Sequence, residues 1–165
     1  MYIIMVKKVT KAADNIYCQA RYEALENNDA FSSREKTSEI IHIDRTRLAN
    51  IELGHVTPYP EEVLAMSQAY NSPELCNAHC SQSCPIGKQT VSKVTLDDFD
   101  RLSLKVLGSL KDVDELRLSL ISISEDGVVD AYEKEEFYRI LDTLDKISTS
   151  AKALQIWAQK NVKFD

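Results

Sequence analysis

Residues 32–54 read Ser-Ser-Arg-Glu-Lys-Thr-Ser-Glu-Ile-Ile-His-Ile-Asp-Arg-Thr-Arg-Leu-Ala-Asn-Ile-Glu-Leu-Gly. Ser32 followed three residues on by Glu35 fits a capping box, so a helix is expected to begin after Ser32 or Ser33. Thr37, Ile40 and Ile41 can face a core from it. Residues 40–43 then form a turn. Asp44 can cap a second helix, on which Leu48 and Ile51 lie about one turn apart on an inner face, and Gly54 supplies the stop. Two short helices around a tight turn, the second carrying Arg45 and Arg47 away from its apolar stripe, form the layout by which a small domain inserts a helix into the DNA major groove.

Working outward, helical spacing continues on both sides. Residues 15–27 read as a first helix with Asp14 as cap and Ile16, Ala20 and Ala24 or Leu25 near one face. After a loop containing Pro58, Pro60 stands at the first turn of a fourth helix, with Glu61 and Glu62 near its positive dipole end and Val63, Met66 and Ala69 or Tyr70 inward. Asn71-Ser72-Pro73 restarts the chain as a fifth helix near 74–83, ended by Pro85-Ile86-Gly87. Residues 89–95 read as a linker. Beyond it, apolar residues step by three or four from Phe99 to Ile123 and again from Phe137 to Trp157. That pattern predicts two long amphipathic helices folded back at Glu125-Asp126-Gly127 as an antiparallel hairpin. The expected fold is therefore all-α: a five-helix head over 12–88, the linker, and a hairpin over 96–163. Two helices bury only one shared seam, and a second copy or the N-terminal head would cover the rest; a homodimer through the hairpin is expected.

The chain of 165 residues is 44% hydrophobic with only four glycines and four prolines, which disfavours a turn-rich β fold. It has no apolar run long enough to cross a membrane. Its opening run, Tyr2-Ile3-Ile4-Met5-Val6, is too short for a signal-peptide core, so a cytoplasmic protein is expected. The net charge is −6. Nine basic and eleven acidic residues precede and include Lys88, and eleven and fifteen follow it. Neither half is a strongly basic body, so any nucleic-acid contact must come from a local cluster.

The head resembles the lambda-repressor and Cro type of helix-turn-helix, the XRE family of transcriptional regulators, over about residues 15–70. The resemblance lies in Arg34-Glu35-Lys36, in Ile43-Asp44-Arg45-Thr46-Arg47-Leu48, in Asn50-Ile51-Glu52-Leu53-Gly54, and in the proline-bearing loop from Pro58 to Leu64. It implies a lambda-repressor-like head and a sequence-specific regulator, most simply a dimeric repressor on double-stranded DNA. Family members usually carry Gln or Ser where Arg34 stands, at a position that touches DNA. In such a complex Arg45 and Arg47 would each fork onto guanine, Thr46 would meet a phosphate or a thymine methyl, and Asn50 would read adenine or hold a phosphate. Arg34 would serve a phosphate, Lys36 would belong to the same DNA-facing surface, and Asp44 would stand at the tip of the helix that it caps. The competing reading pairs Arg45 and Arg47 with Asp44 or Glu52 on a solvated face. A separate alternative makes the head a protein-binding adaptor or antitoxin-like module that uses the same fold without DNA contact. Glu52 is expected to bond within the domain.

Cys76, Cys80 and Cys84 repeat every four residues, with His79 between the first two. On a helix this spacing puts three thiols along one side, where they could hold zinc or an iron–sulfur cluster, with His79 or Cys18 as a fourth ligand. The alternative is that Cys76 and Cys80 are small core residues, as Cys18 is expected to be. Ser122-x-Ser124-x-Asp126-Gly127 echoes a calcium loop but lacks its first carboxylates. It reads better as a turn followed by a cap at Asp130 and Glu133. No nucleophile elbow, phosphate loop or zinc-protease motif occurs, so no enzyme is expected and no cofactor is required.

Overall fold

The computed structural model describes residues 12–163, and the opening apolar run lies outside them. All regular structure among these residues is helical, and no helix is long and apolar enough to cross a membrane. The chain divides into two compact units, one through Gly87 and one from Lys88.

The first unit holds α1 (Ile16–Leu25), α2 (Arg34–Ile41), α3 (Arg45–Glu52), α4 (Pro60–Ala69) and α5 (Glu74–Gln82). Local chemistry sets each boundary. Asn15, rather than Asp14, caps α1, accepting from the backbone N–H groups of Tyr17 and Cys18 while its own amide reaches the Ile51 carbonyl. The α2 cap is Ser33, whose hydroxyl accepts from the Lys36 N–H; Ser32 stands one residue too early. Asp44 caps α3 through the N–H groups of Thr46 and Arg47. His42 ends α2 in the left-handed region at φ 54°, which makes the turn between the helices tight. Pro60 opens α4 at its first position, where its missing N–H costs no hydrogen bond.

These helices close around one core that includes Tyr17, Phe31, Leu48, Ile51, Met66 and Leu75, with the Phe31 and Tyr70 rings edge to face at 5.3 Å. Tyr17, not Ile16, faces inward from α1, and Ile40 remains exposed while Thr37 and Ile41 are buried. Gly87 lies so close to α5 that a Cβ on it would stand 2.2 Å from the Cys80 carbonyl oxygen, so only glycine fits there. Gly87 also begins α6 (Gly87–Thr90), a single helical turn where the linker was expected to start.

In the second unit the first arm is not one helix. It is α7 (Phe99–Ser109) and α8 (Val113–Ile123), interrupted at Leu110-Lys111-Asp112. Gly108 and Ser109, at the end of α7, are weak helix formers, and Asp112 stands at the N-cap position of α8 without a side-chain cap bond. Both short helices pack on the 28-residue α9 (Lys134–Asn161). Among the described residues of this unit the buried apolar side chains are Leu102, Ile123, Ile140, Ala153 and Ile156. Phe99 and Trp157 meet at 4.9 Å between ring centroids. Leu141, Leu144 and Ala151, expected on the inner stripe of α9, are exposed. The stripe is rotated towards Ile140 and Ile156 instead. Before α9, Asp130 and Glu133 bond reciprocally around a turn, but Glu133 and not Asp130 stands at the N-cap of the helix, without a side-chain cap bond.

Candidate nucleic-acid interface

The surface expected to carry function is built by the first turns of α2 and α3. Ser33, Arg34, Glu35, Arg45, Thr46 and Ala49 line an open cleft of about 440 Å³ between them. Arg45 and Thr46 are the first two residues of α3, and both side chains are exposed. Lys36, the third residue of α2, is exposed and does not line the cleft; its ammonium is 3.3 Å from the Ser32 hydroxyl. Among the described residues, neither Arg45 nor Lys36 has a carboxylate partner.

Two other cations of this surface are tied down. Arg47 forks onto Glu62 of α4 through its Nε and Nη2, and its guanidinium stacks 4.3 Å from the centroid of the Tyr59 ring. The expected Arg47–guanine fork is thus replaced by a fork within the protein. The reason is geometric: Pro60 starts α4 where Glu62 comes within reach of α3. Glu62 also accepts from the Tyr59 N–H at 2.7 Å. Its partial burial pushes its pKa up, but the Arg47 bonds and the Tyr59 N–H pull it down further, and the net position is below the ordinary carboxylate value.

Arg34 donates from Nε to Glu52 at 2.6 Å, with a third of its side chain still exposed. Glu52 is fully buried. It also receives two bonds from Arg21, at 2.6 and 3.1 Å, while the Arg21 Nη1 donates to the Phe31 carbonyl at 2.9 Å. Burial opposes charge on Arg21, and the Glu52 carboxylate outweighs it, leaving the guanidinium pKa raised. Glu52 therefore bonds within the domain, as its place on the inner stripe of α3 four residues after Leu48 suggests. Arg21 was not singled out from the sequence. The available signal was a charge at helical spacing between the inward Tyr17 and Ala24, which demands a buried partner.

Asn50 lies half-buried near the end of α3, its side-chain oxygen 3.4 Å from the His55 ring in the following loop and its carbonyl accepting from the His55 N–H. It stands apart from the cleft that gathers Arg34, Arg45 and Thr46.

The cysteines lie along α5 and just past it. Cys76, Cys80 and Cys84 are half-buried free thiols, and His79 is buried with its Nδ1 unpartnered. Among the described residues no three His, Cys, Asp or Glu side chains sit close enough to hold a metal ion. Cys84 falls beyond the Ser83 cap, where its sulfur accepts from the Gly87 N–H at 3.4 Å. Cys76 and Cys80 lie towards Tyr17 of α1; burial first, and then the charge of these thiols, raises the Tyr17 pKa to about 12. Cys18 is buried in α1, its thiol pushed up by burial and then by Glu52. Compared with protein-family models, with curated proteins and with solved structures, the chain matches none.

Proposed function

We propose that the first unit is a sequence-specific DNA-binding module of the XRE helix-turn-helix kind, and that the chain acts as a cytoplasmic, dimeric transcriptional repressor. One observation carries this reading: Arg45 and Thr46 project from the first turn of α3 into the cleft that also holds Arg34 and the capped first turn of α2. A helix N-terminus so placed offers base-reading side chains beside phosphate-binding ones. Arg45 is the base-reading arginine, Thr46 and Lys36 contact backbone or thymine, and Arg34 meets a phosphate while anchored on Glu52. Arg47 orients the α3–α4 corner through Glu62 and Tyr59. The dimer places two such surfaces on half-sites about one helical turn apart.

The test is selection from a random duplex library, followed by a salt titration of the selected site. A motif with two half-sites is expected, and Arg45→Ala should weaken specific binding by about 10- to 100-fold, the equivalent of roughly 1–3 kcal/mol for one good base contact. Absence of any enriched motif would overturn the reading.

A second reading, the adaptor or antitoxin-like module, draws on the pairing of Arg34 and Arg47 with carboxylates and on Glu35 in the cleft. It expects weak, sequence-independent DNA binding and a protein partner on the same face.

A further inference from the structure

We infer that the second unit pairs with a second copy of this chain, antiparallel, through the outer face of α7 and α8. The inference deepens the dimer named above and rests on that reading for its purpose. Its geometry is independent of DNA.

From Phe99 to Ile123 the apolar positions alternate in steps of three and four, and this inner seam faces α9: Leu102 and Ile123 are buried, and Val106, Val113 and Leu116 half-buried. The outward positions of such a repeat ordinarily carry polar residues. Here a second series is exposed: Leu104 and Leu107 on α7, Lys111 in the turn, and Asp114, Leu118 and Ile121 on α8. Its four apolar members are 68%, 66%, 62% and 54% exposed. Large apolar side chains left this open along one segment are the kind of surface that marks a contact site.

The order of the strip selects the occupant. Turned end for end against itself, Leu104 falls opposite Ile121, Leu107 opposite Leu118, and Lys111 opposite Asp114. A two-fold axis at the turn between α7 and α8 generates each pair twice, as an isologous interface requires. Lys111 and Asp114 are exposed, and among the described residues neither is ion-paired within the chain. A parallel arrangement would set Lys111 on Lys111 and Asp114 on Asp114, which repels. An unrelated partner gives no reason for this end-to-end symmetry, whereas a second copy does.

Sedimentation equilibrium of the full chain without DNA tests this. The expected species is a dimer of the 18.7 kDa chain. Lys111→Glu and Asp114→Lys should each weaken dimerisation by about 10-fold or more, because each sets like charges together twice. The double variant reverses both charges and should return to within about threefold of the parent, a coupling that only direct pairing produces. Leu107→Asp should give a monomer with helical circular dichroism retained. A monomeric parent, single swaps without effect, or a double swap no better than either single would overturn the proposal. If Leu107→Asp fails to fold, the two charge swaps, at exposed positions, still decide. Because no DNA is present, a failure here leaves the reading of α2 and α3 standing, and a failed duplex selection leaves this interface standing.

Discussion

The two units of this chain handle apolar surface in opposite ways. In the first, five short helices enclose Leu48, Ile51 and Met66, each at most 1% exposed, and even the buried charges are matched through Arg21, Glu52 and Arg34. In the second, three helices bury five apolar side chains while Leu104, Leu107, Leu118 and Leu141 remain at the surface. The difference follows from layering. Helices that cross around a common centre can cover one another on several sides, whereas α7 and α8 laid on α9 share one seam and leave their outer faces open.

The sharpest way to break this contrast is Glu52→Gln. It leaves the buried Arg21 guanidinium without its anion, and truncating one partner of a buried pair costs about 3–5 kcal/mol. Urea unfolding followed by circular dichroism should show the first unit lost at much lower denaturant. Unchanged stability would mean that the Arg21–Glu52 pair is solvated. A paired experiment follows. Leu48→Ala should cost roughly 2–5 kcal/mol from the cavity it leaves, while Leu104→Ala should change the stability of the monomer by less than about 0.5 kcal/mol. Equal effects would erase the distinction between closed and open units.

The smallest effect concerns acid. Glu62 has a depressed pKa in the folded chain, so its contribution is fully present above the ordinary carboxylate range and is lost as pH falls through the folded value. Glu62→Gln should therefore lower the melting temperature of the first unit by about 2 °C at neutral pH. The difference from the parent should vanish in acid, as read by thermal scans at stepped pH. A difference independent of pH would assign the effect to packing rather than to the Arg47 fork.

Much of the first unit was legible because its boundaries are written in local chemistry. A side-chain oxygen accepting from N–H groups two or three residues on, as at Asp44, or a proline with no N–H to lose, as at Pro60, is decided within four residues of sequence. The second unit was less legible. The three-and-four spacing of apolar residues is the same whether a helix runs unbroken or pauses at Leu110-Lys111-Asp112. It also does not say which of two neighbouring stripes on α9 turns inward. The site divides in the same way. Exposed Arg45 and Thr46 follow from the α3 pattern, but the capture of Arg47 by Glu62 and the buried role of Arg21 depend on helices distant in sequence.

The sequence by itself determined the all-helical class, the Asp44 cap of α3, the proline start of α4, and the inward residues Leu48 and Ile51, since these rest on interactions within one or two turns. Only the tertiary structure decided which arginines remain free. A guanidinium is equally at home on a carboxylate of its own chain or facing a partner, and the outcome depends on which acidic side chain the fold brings within about 3 Å of it.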